Sequence, residues 1–421
     1  MAETAKMPVP KHIPESTSAL APLREPLFRS LWIAAVISYT GTWMQNVGAG
    51  WLMTTLTTSP FKIGMVQAAA LLPVFLVILP AGALADMMDR RRLLLLTQTW
   101  MVLAATTLGV LTLFQVVTPW VLLILTFLLG LGSVMNDPAW QAITPEVVSS
   151  EQHASAVALN SAGFNVARAV GPALGGVVVA SAGCGTTFLL NALSFFGVIL
   201  FLYHWKRRGH EQVESGRVFD AIKGGFSYVR RSSIVKSVLI RTGAFSLAAS
   251  AIWALLPIIA RPHGATGYGL LVGSFGTGAL AGAAILPRLR RRFSVDWLVA
   301  LAIIVFAVVT FAAGEVHAFW PLCAVLFVGG MAWIGILACL NTAAQTMSPG
   351  WVRARALSMY LLVLQGGMAL GSAAWGALAT RVGVPMALLC SAVALVVGLS
   401  TIRRHRLSAR DVELAPAVVR D

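Results

Sequence analysis

Charge is the scarcest commodity in this sequence. Only 11% of its 421 residues are Asp, Glu, Lys or Arg, against about 25% in an ordinary soluble domain. So few charges cannot clothe a water-exposed surface for a chain of this length. No charge falls between Arg29 and Lys62, between Lys62 and Asp86, or between Arg92 and Asp137. A membrane span needs roughly 20 predominantly apolar residues, so the first two gaps hold one helix each and the third holds two, broken at Thr118-Pro119. Cysteine is nearly as scarce: the four (Cys184, Cys323, Cys339, Cys390) have neither paired nor metal-ligand spacing, so free thiols and no disulfide are expected. No short apolar stretch with a small-residue cleavage site precedes the first long run, and residues 1–22, rich in Pro, Thr and Ser, read as disordered. No nucleotide loop, zinc-ligand cluster or Ser/His/Asp constellation stands at a workable spacing. Neither cofactor, metal nor enzymatic turnover is therefore expected, and solute movement would draw on an ion gradient.

Long apolar runs are what the sequence does contain. They predict an all-α membrane protein of twelve transmembrane helices, at about residues 31–56, 63–85, 93–117, 120–143, 154–181, 186–204, 237–259, 267–287, 297–314, 321–344, 355–380 and 386–402. The net charge of +15 raises the question of nucleic acid, and its location answers it. With the N-terminus inside, all but five of the 31 Lys and Arg fall in cytoplasmic segments. The exceptions are Lys62, Arg261 and Arg381 outside, and Arg168 and Arg241 within spans. That is the positive-inside distribution of a multi-pass inner-membrane protein with both termini cytoplasmic. A lipid bilayer, not nucleic acid, is the expected surroundings, and a monomer the expected state.

An internal repeat organises the chain. Gly82-Ala83, Arg90-Arg91-Arg92, Gly171 and Gly176 recur as Gly282-Ala283, Arg290-Arg291-Arg292, Gly371 and Gly376, and Asn165 corresponds to Gln365, all at an offset of 200 residues. Gln141 and Pro145 recur as Gln345 and Pro349 at 204. Two related six-helix halves follow: an arm over 1–28, a first half over 29–205, a basic cytoplasmic linker over 206–236, a second half over 237–402 and a cytoplasmic tail over 403–421.

The turn after span two reads GALADMMDRRR, from Gly82 to Arg92. It resembles the loop motif of the major facilitator superfamily: a glycine, an Asp four residues on, then basic residues, with Asp89 where a second glycine is usual. The second-half copy has Leu286 in place of Asp86. On span five, Gly171-Pro172-Ala173-Leu174-Gly175-Gly176 resembles the glycine-proline motif of the superfamily's exporters; the proline removes one helix hydrogen bond and the glycines open a groove for a neighbouring helix. Together with Phe28-Arg29, Pro138-Ala139-Trp140-Gln141, Asn165 and Arg168, the chain resembles the transmembrane secretion effector subgroup, which includes enterobactin exporters and is related to macrolide efflux proteins. The resemblance implies a major facilitator fold and export of a medium-sized organic compound, siderophore or drug-like, by proton antiport and alternating access. Lysophospholipid or solute uptake, and a membrane-embedded enzyme or scaffold, stay open beside it, although the seven His are too dispersed for an enzyme.

Individual residues carry specific expectations. Asp86, with Gly82 and Arg90, forms a conformational latch: its carboxylate meets the N-terminus of span eleven after Ser348-Pro349-Gly350, where free N–H groups carry partial positive charge. Arg168 lies near the midplane, where a guanidinium persists only against a polar cavity, a substrate or satisfied carbonyls. Asp137 is the acid well inside a span; low-dielectric surroundings disfavour a carboxylate's charged form, which makes it a proton carrier or, alternatively, a cap in an aqueous vestibule. Gln45 and Asn46 on span one, Asn165 on span five, and Tyr360 and Gln365 on span eleven are expected to line a cavity or to join helices. Trp43 and Trp333 lie deeper than the interfacial tryptophans, where contact with a substrate is open to them, but packing towards lipid is the favoured expectation.

Overall fold

A computed structural model describes residues 20–87, 89–204, 232–346 and 353–401. Twelve long helices fill it: α1 (Pro26–Leu56), α2 (Pro60–Met87), α3 (Arg90–Leu113), α4 (Pro119–Val147), α5 (His153–Ala182), α6 (Cys184–His204), α7 (Ser233–Ile259), α8 (Gly264–Arg290), α9 (Val295–Glu315), α10 (Phe319–Thr346), α11 (Arg353–Val382) and α12 (Val384–Gly398). No strand occurs among the described residues. Ten of the helices are long and apolar enough to cross a membrane. The two others depart for different reasons. Helix α1 carries Ser38, Thr40, Thr42, Gln45 and Asn46 on its length, which lowers its apolarity. The 15 residues of α12 reach only about 22 Å at 1.5 Å per residue, and the residues beyond 401 lie outside the described ones.

Local sequence sets the helix boundaries. Proline opens α1, α2 and α4, where its missing N–H costs nothing. The Thr118 side chain accepts from Val121 N (3.4 Å), that of Ser294 from Trp297 N (3.3 Å) and that of Ser232 from Val235 N (3.4 Å). Asp89, at the place of the loop motif's usual second glycine, accepts from Arg92 N at 2.9 Å and so starts α3. Two expected boundaries move. The first helix begins at Pro26, inside the arm expected over 1–28, because Phe28 and Leu31 are buried against Leu93, Ala139 and Val198. Helix α7 begins at Ser233, inside the expected linker, because Ser232 caps it. Residues 1–19 of the arm, 206–231 of the linker and the whole tail fall outside the described residues.

The turns between α5 and α6 and between α11 and α12 are each made by one glycine of positive φ, Gly183 (+81°) and Gly383 (+85°). Only glycine adopts this backbone freely, and the two stand at the same offset of 200. Packing repeats as well. Helix α1 packs on α5 and α6, α2 on α4, and α3 on α4 and α6; with a shift of six, α7 packs on α11 and α12, α8 on α10, and α9 on α10 and α12. The two sets meet chiefly through α2 against α11 and α5 against α8, two contacts that exchange under the same shift. At the second of them Gly176 has no room for a Cβ, which would lie 2.7 Å from Ala265 O and 2.9 Å from Gly269 Cα.

A cavity between the two helix sets

A cavity of about 320 Å³ lies where the two sets face each other. Helices α1, α2, α4 and α5 line it from one side and α7, α8, α10 and α11 from the other; α3, α6, α9 and α12 contribute no lining residue. Its polar lining comes from Asn46, Gln67, Thr126, Arg168 and Gln365. Aromatic rings supply much of the remainder. Trp43 and Phe164 stand on the α1–α5 side with centroids 6.5 Å apart, and Trp253 and Trp333 on the α7–α10 side at 5.8 Å. Both Trp43 and Trp333 therefore face the cavity instead of packing towards lipid as expected. Trp333 is fixed there by Phe245, Phe275 and Phe306.

Among the described residues that line the cavity, Arg168 is the one that carries a charge. Its Cζ lies 5.8 Å from the centroid of the Trp43 ring, within range of a cation–π attraction worth about 0.5–2 kcal/mol. Its Nε is buried and has no hydrogen-bond partner among the described residues. The guanidinium thus lies against an aromatic face, with no ion pair to a carboxylate among the described residues. The other arginine within a span is different. Arg241, on α7, is 3% exposed and its Nη1 donates to Asp296 Oδ1, in the first turn of α9, at 2.6 Å.

The structure separates the other expected residues. Asn46 and Gln365 line the cavity beside Arg168. Gln45, the neighbour of Asn46, is buried on the opposite side, where its Oε1 accepts from Asn191 Nδ2 of α6 at 2.8 Å. Tyr360 is buried between α11 and α10, its hydroxyl donating to Leu337 O at 3.3 Å. Asn165 Nδ2 donates to Ser161 O of its own helix at 2.8 Å, and Asn165 is not a lining residue. Asp137 is exposed on α4, outside the cavity lining, next to Asn136, whose Oδ1 accepts from Gln98 Nε2 at 3.1 Å. Gly171 and Gly175 seat α5 on Trp43 and Met44 of α1, and Gly176 seats it on α8; Pro172 lies buried between them. Gly82 and Asp86 belong to α2, but their side chains, and Ser348-Pro349-Gly350, lie outside the described residues. Arg90 is half-buried at the start of α3.

Sequence reasoning passed over Gln67, Thr126, Trp253 and Tyr268 in the cavity and the Arg241–Asp296 pair. A signal for the pair existed: a lone arginine in one span and an acid at the first turn of another. Nothing local marks which face of α2 or α4 turns inwards.

Comparison with known proteins agrees with this arrangement. The staphyloferrin A transporter of Staphylococcus aureus is 27% identical over 61% of this chain and 65% of its own length. The enterobactin exporter of Salmonella typhimurium is 25% identical over 84% of this chain and 86% of its own, and the multidrug efflux pump Tap of Mycolicibacterium fortuitum 26% over 93% and 98%. Among solved structures, a bacterial homologue of the human lysosomal transporter Spinster, inward-facing and unoccupied, superposes with a TM-score of 0.74 over 93% of this chain and 98% of that one at 14% identity. A nucleoside transporter does so with a TM-score of 0.75 over 90% and 100% at 12% identity; at such identities these show the fold alone. The cavity shared by eight helices, the fold of these transporters and a match of residues 17–418 to the family model agree, and the chain is a multi-pass membrane transporter, not an enzyme, belonging to the transmembrane secretion effector family of major facilitator type.

Proposed function

We propose that this transporter exports a medium-sized organic compound, siderophore or drug-like, from the cytoplasm by alternating access coupled to proton antiport. The observation that carries the reading is Arg168: among the described residues the one charge in a cavity lined from both helix sets, lying against Trp43. An anionic or carbonyl-rich group on the solute completes the guanidinium's hydrogen bonding, since planar, charge-assisted pairs are the strong ones. The rings of Trp43, Phe164, Trp253 and Trp333 accept an aromatic or apolar body, and Asn46 and Gln365 orient its polar groups. The siderophore relatives support this class of cargo. The efflux pump relative, together with the aromatic lining, favours a drug-like compound as the second reading.

In this reading both termini and the basic turns lie in the cytoplasm, which the distribution of Lys and Arg supports. Asp86, with Gly82 and Arg90, latches the cytoplasmic side against the start of α11. Asp137, outside the cavity, carries the proton. The glycine-proline segment from Gly171 to Gly176 lets α5 rock against α1 and α8. The deciding experiment compares accumulation of candidate siderophores and drugs in deletion and overexpressing cells, with and without a protonophore. Export that rises with the protein and collapses with the protonophore supports the reading; export indifferent to the protein rejects it.

A further inference from the structure

We infer that Arg261 is a latch on the outer side, closing it by capping the end of α1. Arg261 opens a short 3₁₀ turn, Arg261–His263, between α7 and α8. From there its Nη2 reaches across to the other helix set and donates two hydrogen bonds, to Thr54 O at 2.9 Å and Thr57 O at 2.8 Å. Helix α1 ends at Leu56 with Thr57 as its cap. The Thr54 carbonyl belongs to the last turn, which has no following N–H to receive, and the aligned peptide dipoles place partial negative charge there. A guanidinium suits that site, because it carries a permanent positive charge and the two hydrogens of its Nη2 diverge towards two carbonyls at once.

Three neighbouring contacts seal the same end. Tyr268 of α8 stacks on Trp51 of α1 with centroids 6.2 Å apart and planes at 25°. A Cβ at Gly50 would lie 2.7 Å from the Tyr268 hydroxyl, so the ring sits directly on the α1 backbone. Phe61 N, in the first turn of α2, donates to Thr380 Oγ1 near the end of α11 at 3.2 Å. Tyr268 also lines the central cavity, so this seal forms its outer roof. The latch accounts for a departure from the charge rule as well. Arg261 is one of three basic residues on the outer side, where a free arginine has no topological use. It would oppose the expected cytoplasmic latch: an acid at a helix N-terminus on one side, an arginine at a helix C-terminus on the other.

The purpose of this latch rests on the alternating-access reading, but its measurement needs neither substrate nor proton gradient. Spin labels at Val116→Cys, in the turn between α3 and α4, and His317→Cys, between α9 and α10, report the outer separation of the two sets; both positions are exposed. Cys323→Ser and Cys390→Ser clear the more accessible native thiols. In the purified full-length protein in lipid nanodiscs, Arg261→Ala should raise the ratio of long to short distances about tenfold, the factor expected on losing charge-assisted bonds from one state only. Arg261→Lys should give an intermediate ratio, since the lysine keeps the charge and its N–H donors but not the reach and planar preorganisation of the guanidinium. An unchanged distribution in a folded Arg261→Ala protein, even with a lowered melting temperature, would reduce Arg261 to a staple of its own turn and overturn the latch. Should the alanine variant fail to insert, Arg261→Gln and Arg261→Lys are read with the same pair, and parental distributions in both overturn it equally. Failure of the export assay in cells with these distances shifting as stated would count against the proposed function alone.

Discussion

Arg241 and Asp296 hold each other at 2.6 Å between α7 and α9, with the arginine side chain 2% and the aspartate 26% exposed. Arg168, the other intramembrane arginine, has an aromatic ring in place of an acid. Two arginines that look alike in sequence therefore differ in kind: one is matched by an acid within the fold, and the other lies against a ring and faces the cavity. Removing one member of a buried pair leaves the other charge uncompensated, at a cost of about 3 kcal/mol or more. Arg241→Ala should lower the melting temperature and the membrane level of the protein. Asp296→Asn should do so at least as much, because it leaves the buried Arg241 guanidinium without its acid, whereas an Asp296 left alone is partly open to water. A double variant closer to wild type than Arg241→Ala alone is the signature of the pair, and substrate affinity in whatever protein survives should be unchanged. Thermal unfolding of the four proteins in detergent decides it.

Steric closeness gives a second expectation. A side chain at Gly176 would meet backbone atoms of Ala265 and Gly269, which cannot yield as a flexible side chain can. Gly176→Val should force α5 from α8 and abolish export, with a clear loss of thermal stability. Gly197, whose added Cβ would meet nothing within 4 Å, is the control, and Gly197→Ala should behave as wild type. Equal melting temperatures and export for the two would show that the α5–α8 contact is less close than drawn.

Much of this architecture is legible in sequence because membrane helices announce themselves by length and charge, and prolines, Ser294, Thr118 and the Gly183/Gly383 pair punctuate them. The site is less legible, for a geometric reason. Successive helical residues point about 100° apart, so Gln45 and Asn46 sit on different faces, and tertiary packing alone decides which one meets the cavity. Asn191, 146 residues away, claims Gln45. The same ignorance of helix rotation hid Gln67 and Thr126 and sent Trp43 and Trp333 towards lipid. Arg261 illustrates the other limit, since nothing near it in sequence marks the end of α1 as its partner.

Topology is testable from charge alone. A reporter fused after Arg404 or within 207–230 should be cytoplasmic, and one inserted at the exposed turn of Gly183 should be outside. Opposite signals at these sites would invert every statement about which side a latch closes.

For the cytoplasmic latch, Asp86→Asn removes the negative charge proposed to face the start of α11. Transport should fall with normal membrane insertion, and the equilibrium should move away from the outward-open state. Arg90→Ala should produce a milder change in the same direction. Wild-type transport and unaltered cytoplasmic accessibility in Asp86→Asn would remove this residue from the switching machinery.

The substrate role of Arg168 yields the most informative set of variants. Its guanidinium lies against Trp43, and among the described residues its Nε has no partner and the cavity lining no second charge. If the solute supplies the missing acceptors, Arg168→Lys should fail almost as badly as Arg168→Ala, because an ammonium cannot reproduce the planar fork. The loss should appear as weaker binding, about tenfold to a hundredfold for a charge-assisted hydrogen bond of 1.5–3 kcal/mol, with folding and membrane level preserved. Trp43→Ala should weaken binding less, since the attraction it removes is smaller. An arginine serving only to hold helices together would behave otherwise: truncation would depress expression, and Arg168→Gln, which keeps amide donors, would restore it. Binding and export measured side by side for the Lys, Gln and Ala variants separate the two cases, and undiminished affinity in a well-folded Arg168→Ala protein would take Arg168 out of the substrate site.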